Sequence, residues 1–230
     1  MNNLLYSQII SDIEKSINEG MLEPNEKLPS ERELSQRYKV SRTVIREAFK
    51  VLSEKGLVEV KAGKGTYVTR PTNKNVTKAL ERVIHSNNIS IDDIIEVREE
   101  LELIIVKKAV LRATEDGIEE LKTFCSTMDQ QKMNVSKFVE QDSLFHLKLA
   151  KLSNNHLFYL LINTFFEITD RSIFDLTHMV PSDIEDAQLQ HWKIIEVIEN
   201  RDLESAETIV REHMDMIKAD VNILRKRNIL

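Results

Sequence analysis

The sequence predicts a mainly α protein in two parts, an N-terminal winged helix-turn-helix and a C-terminal all-α bundle of about seven helices. Glycine and proline are concentrated early, with all five glycines and three of the four prolines in the first 117 residues, which indicates short elements and tight turns. Long stretches of helical periodicity follow residue 75. We therefore expect a winged helix-turn-helix domain over residues 1–70, a polar linker over 71–75 and a helical domain over 76–230.

The N-terminal part begins with apolar residues at every fourth position, namely Leu5, Ile9, Ile13 and Ile17. This spacing is typical of one face of a helix, and Gly20 is expected to follow its end.

Two further helices are marked by capping residues. Ser30 and Glu33 have the spacing of a capping box that begins a short helix, and Ser41 caps a second helix over residues 42–55, which Gly56 ends. The inward face of this second helix is expected to contain Val44, Ala48, Val51 and Leu52.

The segments LVEV and TYVT are rich in β-formers and are joined by KAGKG, which predicts a two-stranded hairpin. Three helices followed by such a hairpin give the element order of a winged helix-turn-helix.

The C-terminal part contains helical periodicity throughout, with Thr114 and Asp202 as candidate N-caps. The predicted helices lie near residues 76–86, 91–112, 115–132, 136–153, 156–178, 183–199 and 203–226.

Composition limits the cellular setting. Apolar residues make up 41% of the chain, but no apolar stretch approaches the roughly 18–20 residues of a membrane span. The first residues lack the pattern of a signal peptide. The single cysteine, Cys125, excludes an internal disulfide and fits a reducing compartment. We expect a cytoplasmic protein with no membrane partner.

The formal net charge of -6 hides an asymmetry between the two parts. Residues 27–64 contain ten Lys and Arg against five Asp and Glu, whereas residues 71–230 contain 20 basic and 28 acidic residues. A nucleic-acid partner is therefore expected for the N-terminal part alone.

The helix that begins SRTVIRE has the residues of a recognition helix. Such a helix enters the major groove with its N-terminal end, where Arg42, Thr43 and Arg46 are expected to point outward. An arginine that binds a guanine edge with two hydrogen bonds discriminates by about 1–3 kcal/mol. Arg32, in the first turn of the preceding helix, is placed to contact the DNA backbone.

The wing tip contains Gly63 and Lys64, which suit a close approach to a minor groove and a phosphate contact. The alternative is that these residues are solvated surface charges, but the order of the whole set favours DNA binding.

The stretch LPSERELSQRYKVSRTVIREAFKVLSEKGLVEVKAGKGTYV resembles the DNA-binding domain of the GntR family of bacterial transcription regulators. The resemblance implies operator contacts by the arginine after LPSE and by the Arg-Thr and Arg positions of the recognition helix, with a glycine in the wing. The matching positions are Arg32, Arg42, Thr43, Arg46 and Gly63.

Four polar residues of the C-terminal part form a candidate metal site. Asp142 and His146 are four residues apart and share one helix face, while His191 and His213 lie on later helices among apolar neighbours. Three imidazoles and a carboxylate suit Zn²⁺, Ni²⁺, Mn²⁺ or Fe²⁺. An inward histidine is more often a hydrogen-bonded core residue, so the spacing alone leaves both interpretations open.

Residues 76–230 are similar to the FCD ligand-binding domain of the FadR subfamily of GntR regulators. The segments EVREELE, DSLFHLKLAKLSNN, QHWKIIEVIENRDLESA and REH carry this resemblance. It implies that Asp142, His146, His191 and His213 bind a divalent metal, with zinc as the first choice, at the floor of an effector cavity.

The resemblance also implies that Arg98 faces the cavity and pairs with an effector carboxylate. The alternative for Arg98 is a structural i,i+4 pair with Glu102 on the surface. Arg171 is a further effector-binding candidate with less support.

These observations predict a transcription regulator, expected to be a repressor, that binds an inverted-repeat operator as a homodimer and responds to a small carboxylate effector. One alternative is a regulator for which the metal itself is the signal. A remote alternative is a metallohydrolase fused to a DNA-binding head. The chain has no convincing general base beyond the metal ligands, so we expect no enzyme.

Overall fold

The computed structural model describes the backbone of residues 2–179 and 184–226 and the side chains of residues 6–169 and 184–226. The chain forms two compact units, residues 1–79 and residues 80–230. In the described part, every helix is too short or too polar to cross a bilayer.

The first unit contains three helices and a two-stranded antiparallel hairpin in the order of a winged helix-turn-helix. The predicted capping box is present, because Ser30 N donates to Glu33 Oε2 (2.7 Å) and Ser30 Oγ accepts from Glu33 N (3.3 Å). The elements are α1 (Asn2–Asn18), α2 (Glu31–Tyr38), α3 (Arg42–Glu54), β1 (Val58–Lys61) and β2 (Gly65–Val68).

The inward face of α3 differs from the sequence prediction. Ile45 and Phe49 are buried together with the predicted Ala48 and Leu52, whereas Val44 and Val51 are only partly buried. The reason is the phase of the helix, since positions 45, 48, 49 and 52 follow the i, i+3, i+4, i+7 spacing of a single stripe. The opposite side of its first turns faces solvent.

The second unit is all helical in the described residues, which confirms the predicted fold class. The central helix is α5, which packs against α7, α8, α9 and α10. Helix α4 (Asn73–Asn87) contains the boundary between the two units. The helices that follow it are α5 (Ile91–Arg112), α6 (Glu115–Gln131), α7 (Val135–Leu152), α8 (His156–Met179), α9 (Ile184–Glu199) and α10 (Leu203–Lys226).

Helix α4 begins at Asn73, inside the stretch predicted to be a linker. The backbone N–H and the hydroxyl of Thr72 both donate to Asn75 Oδ1, at 2.8 and 2.9 Å. This side-chain cap fixes the first turn three residues earlier than the apolar periodicity indicates, so the non-helical segment between β2 and α4 is shorter than expected.

Candidate functional sites

Three histidines from three helices of the second unit meet in its core. His146 lies on α7, His191 on α9 and His213 on α10, and their exposed fractions are 2%, 0% and 4%. Their ring centroids form a nearly equilateral triangle with sides of 5.0–5.4 Å. One nitrogen from each ring can be chosen so that all three lie within 4.8 Å of one another.

Asp142, one turn before His146 on α7, lies at the edge of this triangle. Its Oδ1 is 3.0 Å from His191 Nε2 and 3.9 Å from His146 Nε2. The structure therefore brings together all four residues that the sequence analysis proposed as metal ligands.

Two further side chains orient the rings. Gln188 donates its amide to the carbonyl of Cys125 (2.8 Å), which leaves Gln188 Oε1 facing His191 Nδ1 at 3.4 Å. Because a carbonyl oxygen only accepts, this contact favours a proton on Nδ1, so Nε2 is the nitrogen of His191 that would bind a metal. Glu102 Oε2 lies 2.9 Å from His146 Nδ1, so a carboxylate is in close contact with that ring.

Five buried ring nitrogens have no hydrogen-bond partner among the described residues. Two of them lie 2.9 and 3.0 Å from carboxylate oxygens of Glu102 and Asp142 without forming a hydrogen bond. The five atoms are both nitrogens of His146, both nitrogens of His213 and Nε2 of His191. A buried polar atom without a partner costs about 1–3 kcal/mol, so a cluster of five indicates a missing ligand.

The charges around the cluster favour a cation. Burial lowers the pKa of His213 to about 3, so its imidazole is neutral and offers a lone pair. Burial would raise the pKa of Asp142, but the contact with His191 holds it below its ordinary value. Burial would likewise lower the pKa of His146, but the Glu102 carboxylate raises it.

The residues fit a divalent metal ion. Zinc bonds to imidazole nitrogen at about 2.0–2.1 Å in tetrahedral sites, which brings ligand nitrogens to about 3.4 Å from each other. The observed limit of 4.8 Å is within reach of small side-chain rotations. Three imidazoles and one carboxylate supply four ligands, so an ion with five or six ligands would keep positions open. Gln188 and Glu102 supply the additional contacts to His191 and His146 that metal sites use.

Arg98 is buried beside this centre. Its Nε donates to Glu102 Oε1 at 2.6 Å, and its guanidinium lies 4.4 Å from the centroid of the Phe166 ring. The i,i+4 pair considered as an alternative is therefore formed, but in the core, where the two side chains are 2% and 4% exposed. Glu102 joins Arg98 to His146. Arg171 is in the part of α8 whose side chains lie outside the described residues.

Glu102 is a site residue that the sequence analysis treated only as a structural partner. Its spacing to Arg98 predicted the pair, but the contact with His146 joins α5 to α7 and depends on tertiary packing. The signal in the sequence was a glutamate within an otherwise apolar stretch, LELIIV.

The first turns of α3 present the predicted DNA-reading residues. Arg42, Thr43 and Arg46 are exposed. Arg46 departs from the expected free guanidinium, because its Nε and Nη2 donate to the two carboxylate oxygens of Glu31, at 3.1 and 2.7 Å. Arg32 and Arg42 have no ion pair among the described residues.

The wing tip is open. Gly63 has φ +69°, a conformation that favours glycine, and a side chain added there would meet no atom within 4 Å. Lys64 follows it and is exposed. The tip therefore contains a glycine, where another molecule can come close to the backbone, and next to it a positively charged lysine.

Comparison with known proteins connects both units to transcription regulation. Residues 5–68 match the model of the bacterial regulatory proteins of the gntR family, and residues 93–216 match the FCD domain. The chain is 27% identical to the Uxu operon regulator of Haemophilus influenzae over 94% of this chain and 81% of that protein. It is 25% identical to the transcriptional repressor NanR of Cronobacter sakazakii over 97% and 87% of the two chains.

The fold is similar to that of a GntR protein from Streptococcus agalactiae, with a TM-score of 0.64 and 24% identity over 93% of this chain and 99% of that one. The relatives and families are transcription regulators, which confirms that the chain is not an enzyme. A GntR DNA-binding unit followed by an FCD unit identifies the chain as a member of the GntR family of bacterial transcription regulators, of the FadR-like subfamily.

Proposed function

We propose that this regulator is a repressor whose operator binding is controlled by a small carboxylate bound at a divalent metal in the FCD unit. Asp142, His146, His191 and His213 hold the metal, with zinc as the first choice. The effector carboxylate takes an open metal position and a charged hydrogen bond from Arg98.

One observation carries this proposal, namely the five buried ring nitrogens of three converging histidines without hydrogen-bond partners among the described residues. A core that served packing alone would be more stable with apolar residues there, since each unpaired polar atom costs free energy. Buried carboxylates next to the rings favour a cation as the missing ligand.

Arg98 supports a carboxylate as effector. Only its Nε is bonded to Glu102, and its two Nη groups have no acceptor among the described residues. A guanidinium held in this way by one carboxylate retains donors for a second one. Glu102 keeps the charge of Arg98 compensated in the buried site when the effector is absent.

DNA recognition is proposed for Arg42, Thr43 and Arg46 at the major groove, with Arg32 and Lys64 at phosphates and Gly63 at the minor groove. Arg46 exchanges Glu31 for DNA, because an exposed ion pair of this kind is worth only about 0–1 kcal/mol. Two copies of the chain bind the two halves of an inverted repeat.

The test uses the purified full chain and operator DNA. Metal content is measured by mass spectrometry, and small carboxylates are then screened by thermal stabilisation of metal-loaded and chelated protein. We expect about one metal per chain and a carboxylate that stabilises only the metal-loaded protein, by about 2.7 kcal/mol at one hundred times its dissociation constant. The same carboxylate should change operator affinity, and His191→Ala should lose both the metal and this response.

Two results would contradict the proposal. A His191→Ala variant with the metal content of the unaltered chain would exclude ligation by this cluster. If metal addition alone changed operator affinity and no carboxylate had an effect, the metal would itself be the signal. The burial of the three histidines, which are no more than 4% exposed, favours this second candidate because little of their surface is open to an effector.

A further inference from the structure

One face of α5 is apolar and exposed, although the rest of this helix forms the centre of the second unit. Val97, Ile104 and Leu111 are 53%, 41% and 63% exposed, while their neighbours Ile105 and Val106 are 1% exposed. Positions seven residues apart lie two turns apart on a helix and drift by only about 20°, so the three side chains form one continuous stripe. A stripe of this kind indicates a surface that is covered in the working protein.

The charges beside the stripe favour a second copy of the same helix as the covering surface. Glu96 and Glu100 lie on its N-terminal half, and Lys108 and Arg112 lie on its C-terminal half, at equal distances before and after Ile104. A second copy of α5, related by a two-fold axis through Ile104, would place Glu100 opposite Lys108 and Glu96 opposite Arg112. Parallel pairing would instead place like charges together.

Glu96 and Lys108 have no ion pair among the described residues, whereas Glu100 contacts Arg211 at 3.2 Å and Arg112 donates to the carbonyl of Ser153. Each of the two proposed pairs, Glu96 with Arg112 and Glu100 with Lys108, therefore contains at least one residue without an ion pair among the described residues. This pattern is self-complementary, as the interface of a two-fold dimer requires.

We propose that α5 pairs with α5 of a second copy of this chain in antiparallel orientation, with Ile104 on the two-fold axis and Val97 against Leu111 of the other copy. The pairing adds a specific surface and register to the homodimer of the proposed function. The α5 pairing does not depend on the metal or the effector. Metal content and DNA binding therefore test the proposed function, whereas the experiments below test the pairing.

Single cysteines test the register in the full chain. Ile104→Cys should form a covalent dimer under mild oxidation, because the residue meets its own copy. Leu111→Cys should not, since its two copies lie about 21 Å apart along antiparallel helices, far beyond the roughly 4.4–6.8 Å between Cα atoms of a disulfide. The double variant with Val97→Cys and Leu111→Cys should cross-link again. The unaltered chain is the background control because Cys125 is buried.

The oligomeric state provides the second test. Ile104→Asp places two carboxylates on the axis and should convert the dimer to a monomer in sedimentation equilibrium, while Met133→Asp, at a position 98% exposed outside the stripe, should remain dimeric. Circular dichroism checks that both variants are folded. A monomeric unaltered chain, a dimeric Ile104→Asp variant, no covalent dimer of Ile104→Cys, or efficient cross-linking of Leu111→Cys would each overturn the pairing.

Discussion

The two units of the chain each contain an arginine–glutamate pair, and the two pairs have opposite surroundings. Arg46 and Glu31 are 2.7 Å apart in the first unit with side chains 66% and 32% exposed, whereas Arg98 and Glu102 are 2.6 Å apart in the second unit with side chains 2% and 4% exposed. Water can replace either partner in the first pair but not in the second. Arg46 can therefore change partners at little cost in free energy. Arg98 is held in place by Glu102 and can change its contacts only when a ligand enters the buried site.

The largest expected effect comes from breaking the buried pair. Glu102→Ala leaves Arg98 charged without its partner and removes a contact of His146, so the free energy of unfolding should fall by about 3–5 kcal/mol. Urea unfolding followed by fluorescence measures this in the second unit, because Trp192 is the only tryptophan and lies on α9. Glu31→Ala is the matched control, with an expected change of no more than about 1 kcal/mol in the unfolding of the first unit, which circular dichroism follows. Equal losses in both variants would contradict the comparison.

The next effect concerns base reading by the exposed arginine. Arg46→Ala should weaken operator binding by about 1–3 kcal/mol at each reading head, with little change in binding to unrelated DNA. Fluorescence anisotropy with operator and scrambled duplexes at one salt concentration measures both. The control is Arg37→Ala, which removes an exposed arginine in the last turn of α2, away from Glu31. This variant should leave the ratio of the two affinities unchanged. A constant ratio in Arg46→Ala would exclude a base-reading role.

An intermediate effect is expected around the histidine cluster. Gln188→Leu removes the acceptor that holds His191 Nδ1–H, and loss of such an orienting contact lowers metal affinity by about 10–100-fold. Competition with a chromogenic chelator gives the affinity. Gln190→Leu makes the same chemical change two residues away, where the amide faces Glu212, and should leave the affinity nearly unaltered. Similar affinities in the two variants would show that Gln188 does not position His191.

Local sequence rules explain most of the fold and part of the sites. Capping residues and the 3.6-residue period predicted the helices of the second unit to within a few residues, and the i,i+4 spacing predicted that Asp142 shares a face with His146 and that Arg98 reaches Glu102. The same rules contain no information on contacts between helices. The pairing of Arg46 with Glu31, which joins α3 to α2, and that of Glu102 with His146, which joins α5 to α7, depend on packing and were not predicted.

The same limit explains the error on α3. Its apolar residues, Val44, Ile45, Ala48, Phe49, Val51 and Leu52, cover more than one stripe, so the sequence permits two phases of the helix. Packing against α1 and α2 selects the phase that buries Ile45 and Phe49.

The smallest predicted effect probes how easily the exposed pair exchanges partners. Glu31→Gln removes the carboxylate that competes with DNA for Arg46, and it also removes a negative charge near the phosphates. Operator affinity should rise a few-fold, within about 1 kcal/mol, and stability should change by no more than that. Glu54→Gln makes the same charge change at the far end of α3, so an affinity gain found only in Glu31→Gln isolates the ion pair from the general field. Weaker operator binding by Glu31→Gln would mean instead that Glu31 holds Arg46 in its DNA-reading orientation, and that the exposed pair is as fixed in its role as the buried one.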